Sequence, residues 1–259
     1  MDADHTTGLR NCAEGPRHGL NAELVRNNLD AVVFDLFGML AEAPDPSQLE
    51  SVSLDVTQAL DVPPAAVEQT ITATWRQRHD GTLPTVDSAA ACLARQRSVH
   101  NVERSGEVAQ IFKGHATRRL ESSPSVVQLL DALKAFGLKL GALSDAAPEV
   151  AESWPSCGLA AFVDTAIFSC RASLLKPARG LYAAITSALD VAPGGTLYCG
   201  GELRGARLAG FTAVRVELRG RQSAQAYGSR PWPGPSIADV EMPPAFVLGV
   251  RCEGGPLCA

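Results

Sequence analysis

Residues 30–44 read DAVVFDLFGMLAEAP. Ala31 to Phe34 form an unbroken apolar run around two β-branched valines. That is the pattern of a strand buried on both faces, not of one with a wet side. The run stops at Asp35. Leu36 and Phe37 follow, and then Gly38, a break signal. A carboxylate at the point where a buried strand becomes a loop is held in place yet reachable. Two readings stay open on this segment alone. Asp35 is a nucleophile, or it is an aspartate that caps a turn.

Further along the chain, strand patterns alternate with helix patterns. LKLGAL (138–143) is a second strand and ends at Ser144 and Asp145. FVDTAIFS (162–169), GTLYCG (195–200) and TAVRV (212–216) make a third, fourth and fifth. Between them lie amphipathic helices. SPSVVQLLDALKAFG (123–137) has Ser123 and Pro124 as start signals, Val126, Leu129, Leu130 and Leu133 as its apolar face, and Gly137 as its stop. ARGLYAAITSALD (178–190) places Leu181, Ala184, Ile185, Ala188 and Leu189 on one stripe, and ELRGARLAG (202–210) is shorter. The alternation predicts an α/β fold, a Rossmann-like parallel sheet of about five strands with helices on both faces. Such sheets bind ligands beyond the carboxyl ends of their strands. Asp35, Ser144 and the Gly200–Glu202 loop all fall at such ends.

The alternation breaks between Pro44 and Leu120. Leu49, Val52, Val56 and Leu60 share a helical face, and Val67, Ile71 and Trp75 in PPAAVEQTITATWRQR recur at helical spacing. DSAAACLARQRSV and GEVAQIFKGHATRRL read as two more helices, and no strand is evident. The expected division is a lead over 1–29, a core domain over 30–44 and 121–220, an inserted all-helical cap over 45–120, and a Pro/Gly-rich extension over 221–259. NAELVRNNL in the lead has the pattern of a short helix, and SIADVEMPPAFVLG in the extension that of a last small element.

Composition narrows the function classes. The 259 residues are 46% hydrophobic with a net charge of −5. No long basic run exists to meet nucleic acid, so none is expected as a partner. No apolar run approaches the roughly 18 residues of a membrane span. The polar stretch MDADHTTGLRNCAEGPRHG has no apolar leader core. Seven scattered cysteines without a CxxC pair suit free thiols in a reducing cytoplasm, and no histidine stands near one at zinc-ligand spacing. The expectation is a cytoplasmic protein that acts on a small molecule.

Four segments in this order, FDLFGML, LGALSD, LLKPARGLY and LYCGGELRGARLAGFTAVRV, resemble the haloacid dehalogenase-like (HAD) hydrolase superfamily, in its branch with a helical cap after the first strand. The resemblance covers residues 30–220. It implies that Asp35 is the nucleophile and that Lys176 pairs with it and with substrate charge. It implies that Ser144, with nearby backbone N–H groups, holds an anionic oxygen, and that Asp145 stands where family members often have Asn. Each residue also has a plainer reading. Ser144 would cap the following helix, and Lys176 would be a solvated surface lysine. Glu202 would hold Mg²⁺ together with Asp35, or it would be a first-turn helix glutamate. Arg76 in TWRQRHD matches an arginine-bearing helix of the dehalogenases, or it is a snorkelling arginine beside a packed Trp75.

Two departures from the phosphatase pattern Asp-x-Asp-Gly-Thr matter. Phe37 stands where a second aspartate acts as general acid and base, and Met39 stands where Thr is usual. Gly200 and Gly201 take the place of the Gly-Asp that helps hold Mg²⁺. Dehalogenases of the superfamily carry an aromatic residue at the Phe37 position, and halide needs no proton to leave. Three functions follow. The first is a phosphatase-like hydrolase of a small anionic metabolite. The second is a dehalogenase-like or otherwise metal-independent enzyme acting at carbon. The third is a non-catalytic binding protein.

Overall fold

The computed structural model describes residues 29–43, 46–218 and 236–240. The lead helix expected at NAELVRNNL and most of the Pro/Gly-rich extension lie outside these residues.

The strands are β1 (Ala31–Phe34), β2 (Lys139–Ser144), β3 (Thr165–Phe168), β4 (Thr196–Cys199), β5 (Thr212–Leu218) and β6 (Ser236–Val240). They form one sheet in the order β3-β2-β1-β4-β5-β6, parallel throughout. The sixth strand lies in SIADVEMPPAFVLG and adds one to the five expected. Strand β1 is central, flanked by β2 and β4, with Phe34 in register with Ala142 and Cys199. All four of its residues are fully buried. Alternate side chains enter opposite cores. Val32 and Phe34 pack under a helix at Pro124–Ala135, and Ala31 and Val33 under one at Arg179–Leu189.

The helices in chain order are α1 (Pro46–Leu60), α2 (Pro64–Ala73), α3 (Trp75–His79), α4 (Val86–Gln96), α5 (Val102–Arg119), α6 (Pro124–Ala135), α7 (Pro148–Ser153), α8 (Ser169–Ala172), α9 (Arg179–Leu189) and α10 (Leu203–Leu208). Helices α1–α5 form the insert after β1, with a core of their own. Val56, Leu60, Val67, Leu93, Val108 and Phe112 are buried in it.

The insert differs from its sequence pattern in two helices: Leu49, expected on the apolar face of the first, is exposed, and the second changes its buried face. The stretch expected as a single helix with Trp75 inward breaks at Thr74, and Trp75 is 48% exposed. The buried face runs Val67, Thr70, Thr74, Arg78 instead. The two threonines bury because their hydroxyls bond back to the Ala66 and Thr70 carbonyls at 2.9 and 2.7 Å. A satisfied hydroxyl removes most of the cost of burying a threonine, so polar residues took positions that an apolar count assigns to Ile71 and Trp75.

Candidate active site

Asp35 is the first residue beyond β1. Its N–H donates to the Cys199 carbonyl at 2.8 Å, which continues the β1–β4 ladder by one step. Its Oδ1 accepts from the Leu36 N–H at 2.9 Å. Gly200 permits the close approach from β4: a Cβ there would lie 2.8 Å from the Asp35 Cβ.

Lys176 reaches this carboxylate from the loop between α8 and α9. Its Nζ lies 2.6 Å from Asp35 Oδ2, with the two side chains 5% and 17% exposed. The ammonium also approaches the Leu143 carbonyl and the Tyr198 hydroxyl at 3.5 Å. Asp145 fixes the loop, since its Oδ1 accepts the Lys176 N–H at 3.0 Å. Burial works to lower the Lys176 pKa, but the Asp35 and Asp145 carboxylates outweigh it and the net direction is upward. The lysine therefore stays cationic. For Asp145 burial dominates, and it raises the carboxyl against the pull of Lys176. Ser144 is buried at the carboxyl end of β2, one position beyond Leu143, whose carbonyl Lys176 meets.

Glu202 has a structural partner of its own. It caps α10, its Oε2 accepting the Gly205 N–H at 2.7 Å and the Tyr182 hydroxyl at 3.3 Å. Burial raises both Tyr182 and Tyr198, so both hydroxyls remain protonated donors. The donor set does not suit Mg²⁺, which prefers an octahedron of oxygens. Lys176 occupies Asp35 Oδ2, a helix cap takes one oxygen of Glu202, and glycines stand at 200 and 201. Among the described residues no three His, Cys, Asp or Glu side chains converge at metal-binding range.

The insert covers the site with residues that the motifs did not mark. Arg119, the last residue of α5, sits with its Cζ 4.2 Å from the centroid of the Phe37 ring. Arg78 forms a buried ion pair with Glu149 of α7 and lies over the Phe112 ring. Among the described residues Arg76 makes its one ion pair at its own helix. Its side chain is 80% exposed and pairs with Asp80 on the same helical turn. Arg78, two residues later, is the buried arginine. The signal was present in both helices: Arg78 continues the Val67–Thr70–Thr74 stripe, and Arg119 continues Val108–Phe112–Ala116. A charge on an apolar stripe marks a buried partner or a site.

No protein-family model and no curated protein matches the chain. Solved structures do. An L-2-haloacid dehalogenase from Xanthobacter autotrophicus, solved with chloropropionic acid covalently bound, is 23% identical with a TM-score of 0.50, over 73% of this chain and 77% of that one. A HAD phosphatase from Thermococcus onnurineus is 18% identical with a TM-score of 0.54, over 82% and 94%. A 2-haloacid dehalogenase from Pseudomonas syringae pv. Tomato DC3000 is 16% identical with a TM-score of 0.60, over 82% and 94%. At these identities the likeness is one of fold, and it spans two chemistries. The chain has the fold of the haloacid dehalogenase-like superfamily, with a helical cap inserted after the first strand.

Proposed function

We propose that this protein is a metal-independent hydrolase that uses Asp35 as a nucleophile at carbon, on a small anionic substrate whose leaving group needs no proton, such as a 2-halocarboxylate. The observation that carries it is the Asp35–Lys176 contact at 2.6 Å, in a site where residue 37 is a phenylalanine and one oxygen of Glu202 is spent on a helix cap. Phe37 cannot donate a proton, and Arg119 lies over its ring. General acid–base help typically contributes ~10²–10⁴-fold. Its absence penalises an alkoxide leaving group and leaves halide unaffected. The phosphatase-like reading, ranked first on sequence, therefore falls behind the reading at carbon.

In the first step an Asp35 oxygen forms a bond to the substrate carbon while the carbon–halogen bond breaks and halide leaves with the electron pair. Lys176 orients the carboxylate and supplies compensating charge. In the second step water attacks the acyl carbon of the aspartyl ester and the hydroxylated product departs with the original Asp35 oxygen. In this reading Asp145, whose carboxyl is raised by burial and whose Oδ1 accepts the Lys176 N–H, takes a proton from that water.

The test is halide release from 2-chloropropionate with EDTA present, set against hydrolysis of an aryl phosphate with Mg²⁺. Halide release unaffected by the chelator supports the proposal. Phosphate release that needs Mg²⁺, with no halide release, overturns it.

A further inference from the structure

Arg119 is the charged residue of this cleft that the chemistry above does not use. It comes from the cap, not the core, and closes α5 just before the buried Leu120. Its guanidinium is positioned by the Phe37 ring, two residues beyond the nucleophile. Its Nε is buried without a hydrogen-bond partner. No carboxylate among the described residues forms an ion pair with it. Glu149 is near enough to act on it electrostatically but is ion-paired to Arg78, whose side chain is 9% exposed. That carboxylate is thus committed to Arg78, and Arg119 has no ion-pair partner of its own among the described residues. A half-buried guanidinium with a buried, unbonded Nε gains when an anion joins it. A guanidinium held against a ring face keeps its N–H edge free for the two oxygens of a carboxylate.

We infer that Arg119 is the specificity-determining residue of this site: it receives the substrate's carboxylate and so fixes which face of the substrate carbon is turned to Asp35. The inference rests on the proposed reaction at carbon and extends it by naming the group that the cap reads.

Two measurements test it. The first is binding of propionate, an unreactive carboxylate, by titration calorimetry to wild type, Asp35→Asn, Arg119→Gln and Arg119→Lys, with chloride as the competing anion. Propionate should bind to wild type and Asp35→Asn. It should bind ~10–100-fold more weakly to Arg119→Gln, the range for losing a hydrogen bond to a charged group. Arg119→Lys keeps the charge but loses the fork, so it should fall between them. The second is KM for 2-chloropropionate against KM for neutral 2-chloropropionamide. Arg119→Gln should raise the first about tenfold or more and change the second little, because the amide lacks the charge that Arg119 reads.

Unchanged propionate binding in both Arg119 variants overturns the inference. So does an equal rise of KM for acid and amide, which indicates general damage to the cap. Binding of chloride alone also overturns it, because Arg119 would then receive the departing ion. If no substrate turns over but propionate still binds in an Arg119-dependent way, the reaction at carbon fails and the role of Arg119 stands.

Discussion

At the scale of single residues, Asp35 was legible from its place at the end of a buried strand, and its pairing with Lys176 was implied by the resemblance of FDLFGML and LLKPARGLY to the superfamily. The structure joins them at 2.6 Å. Asp35→Asn should abolish turnover; it keeps the backbone N–H bond to Cys199 but takes the anion from buried Lys176, so a lowered urea midpoint should accompany the loss. Lys176→Met should lower kcat by ~10²–10³, the usual cost of one preorganised electrostatic partner. Steady-state halide release checks both, and an active Asp35→Asn would contradict the nucleophile assignment. His79 offers a pH test. Burial is the main cause that lowers its pKa to about 4, aided by Arg78 and Arg119 against a bond to the Trp75 carbonyl. Between pH about 4 and 6.5 the unfolded chain therefore binds the extra proton, so stability should rise with pH across that window and fall on acidification. Urea midpoints from pH 4 to 7 should show this slope reduced in His79→Gln, and an identical slope in both proteins would contradict it. Arg78 and Arg119 were marked in the sequence only by their places on buried stripes. They belong to stripes completed by threonines or alanines, and a count of large apolar side chains passes over those.

At the scale of elements, the short helix α7 does more than its length suggests. Glu149 takes Arg78 of α3. Glu152 accepts the Val86 N–H at the start of α4 at 2.9 Å and meets Lys113 of α5 at 3.1 Å. Two carboxylates of one core helix thus fasten three cap helices. Arg78→Met leaves Glu149 buried without its cation, and should cost about 3–5 kcal/mol in denaturant unfolding. Adding Glu149→Gln should recover much of that loss, because the stranded charge is then gone. A loss under about 1 kcal/mol in the single variant would show that the pair does not hold the cap. None of this was visible in PEVAES, which reads as an ordinary helix start. The partners lie 66 and 71 residues away in sequence for Glu152 and Glu149, and local periodicity carries no information about such pairs.

At the scale of the whole molecule, the fold was largely legible and the cap contact was not. Alternating strand and helix patterns specified a parallel sheet because each buried strand needs a helix on both sides. The extra strand β6 lay in a segment whose pattern is too short to declare its state. Cap and core meet again at Gly81, whose φ of +83° suits glycine, and where a Cβ would lie 2.8 Å from the Cys170 carbonyl. Gly81→Ala should destabilise the molecule by roughly 1–3 kcal/mol through strained backbone and a separated contact, read as a lower urea midpoint.

In the proposed reaction Asp35 attacks carbon without a metal. A single turnover of 2-chloropropionate in heavy-oxygen water, with EDTA present and enzyme in excess, tests it most directly. Mass spectrometry of the peptide that holds Asp35 should find the heavy oxygen in its carboxylate, with the hydroxylated product unlabelled after that first turnover. Heavy oxygen in the product and none in Asp35 would mean that water attacks the substrate itself, and would contradict the account.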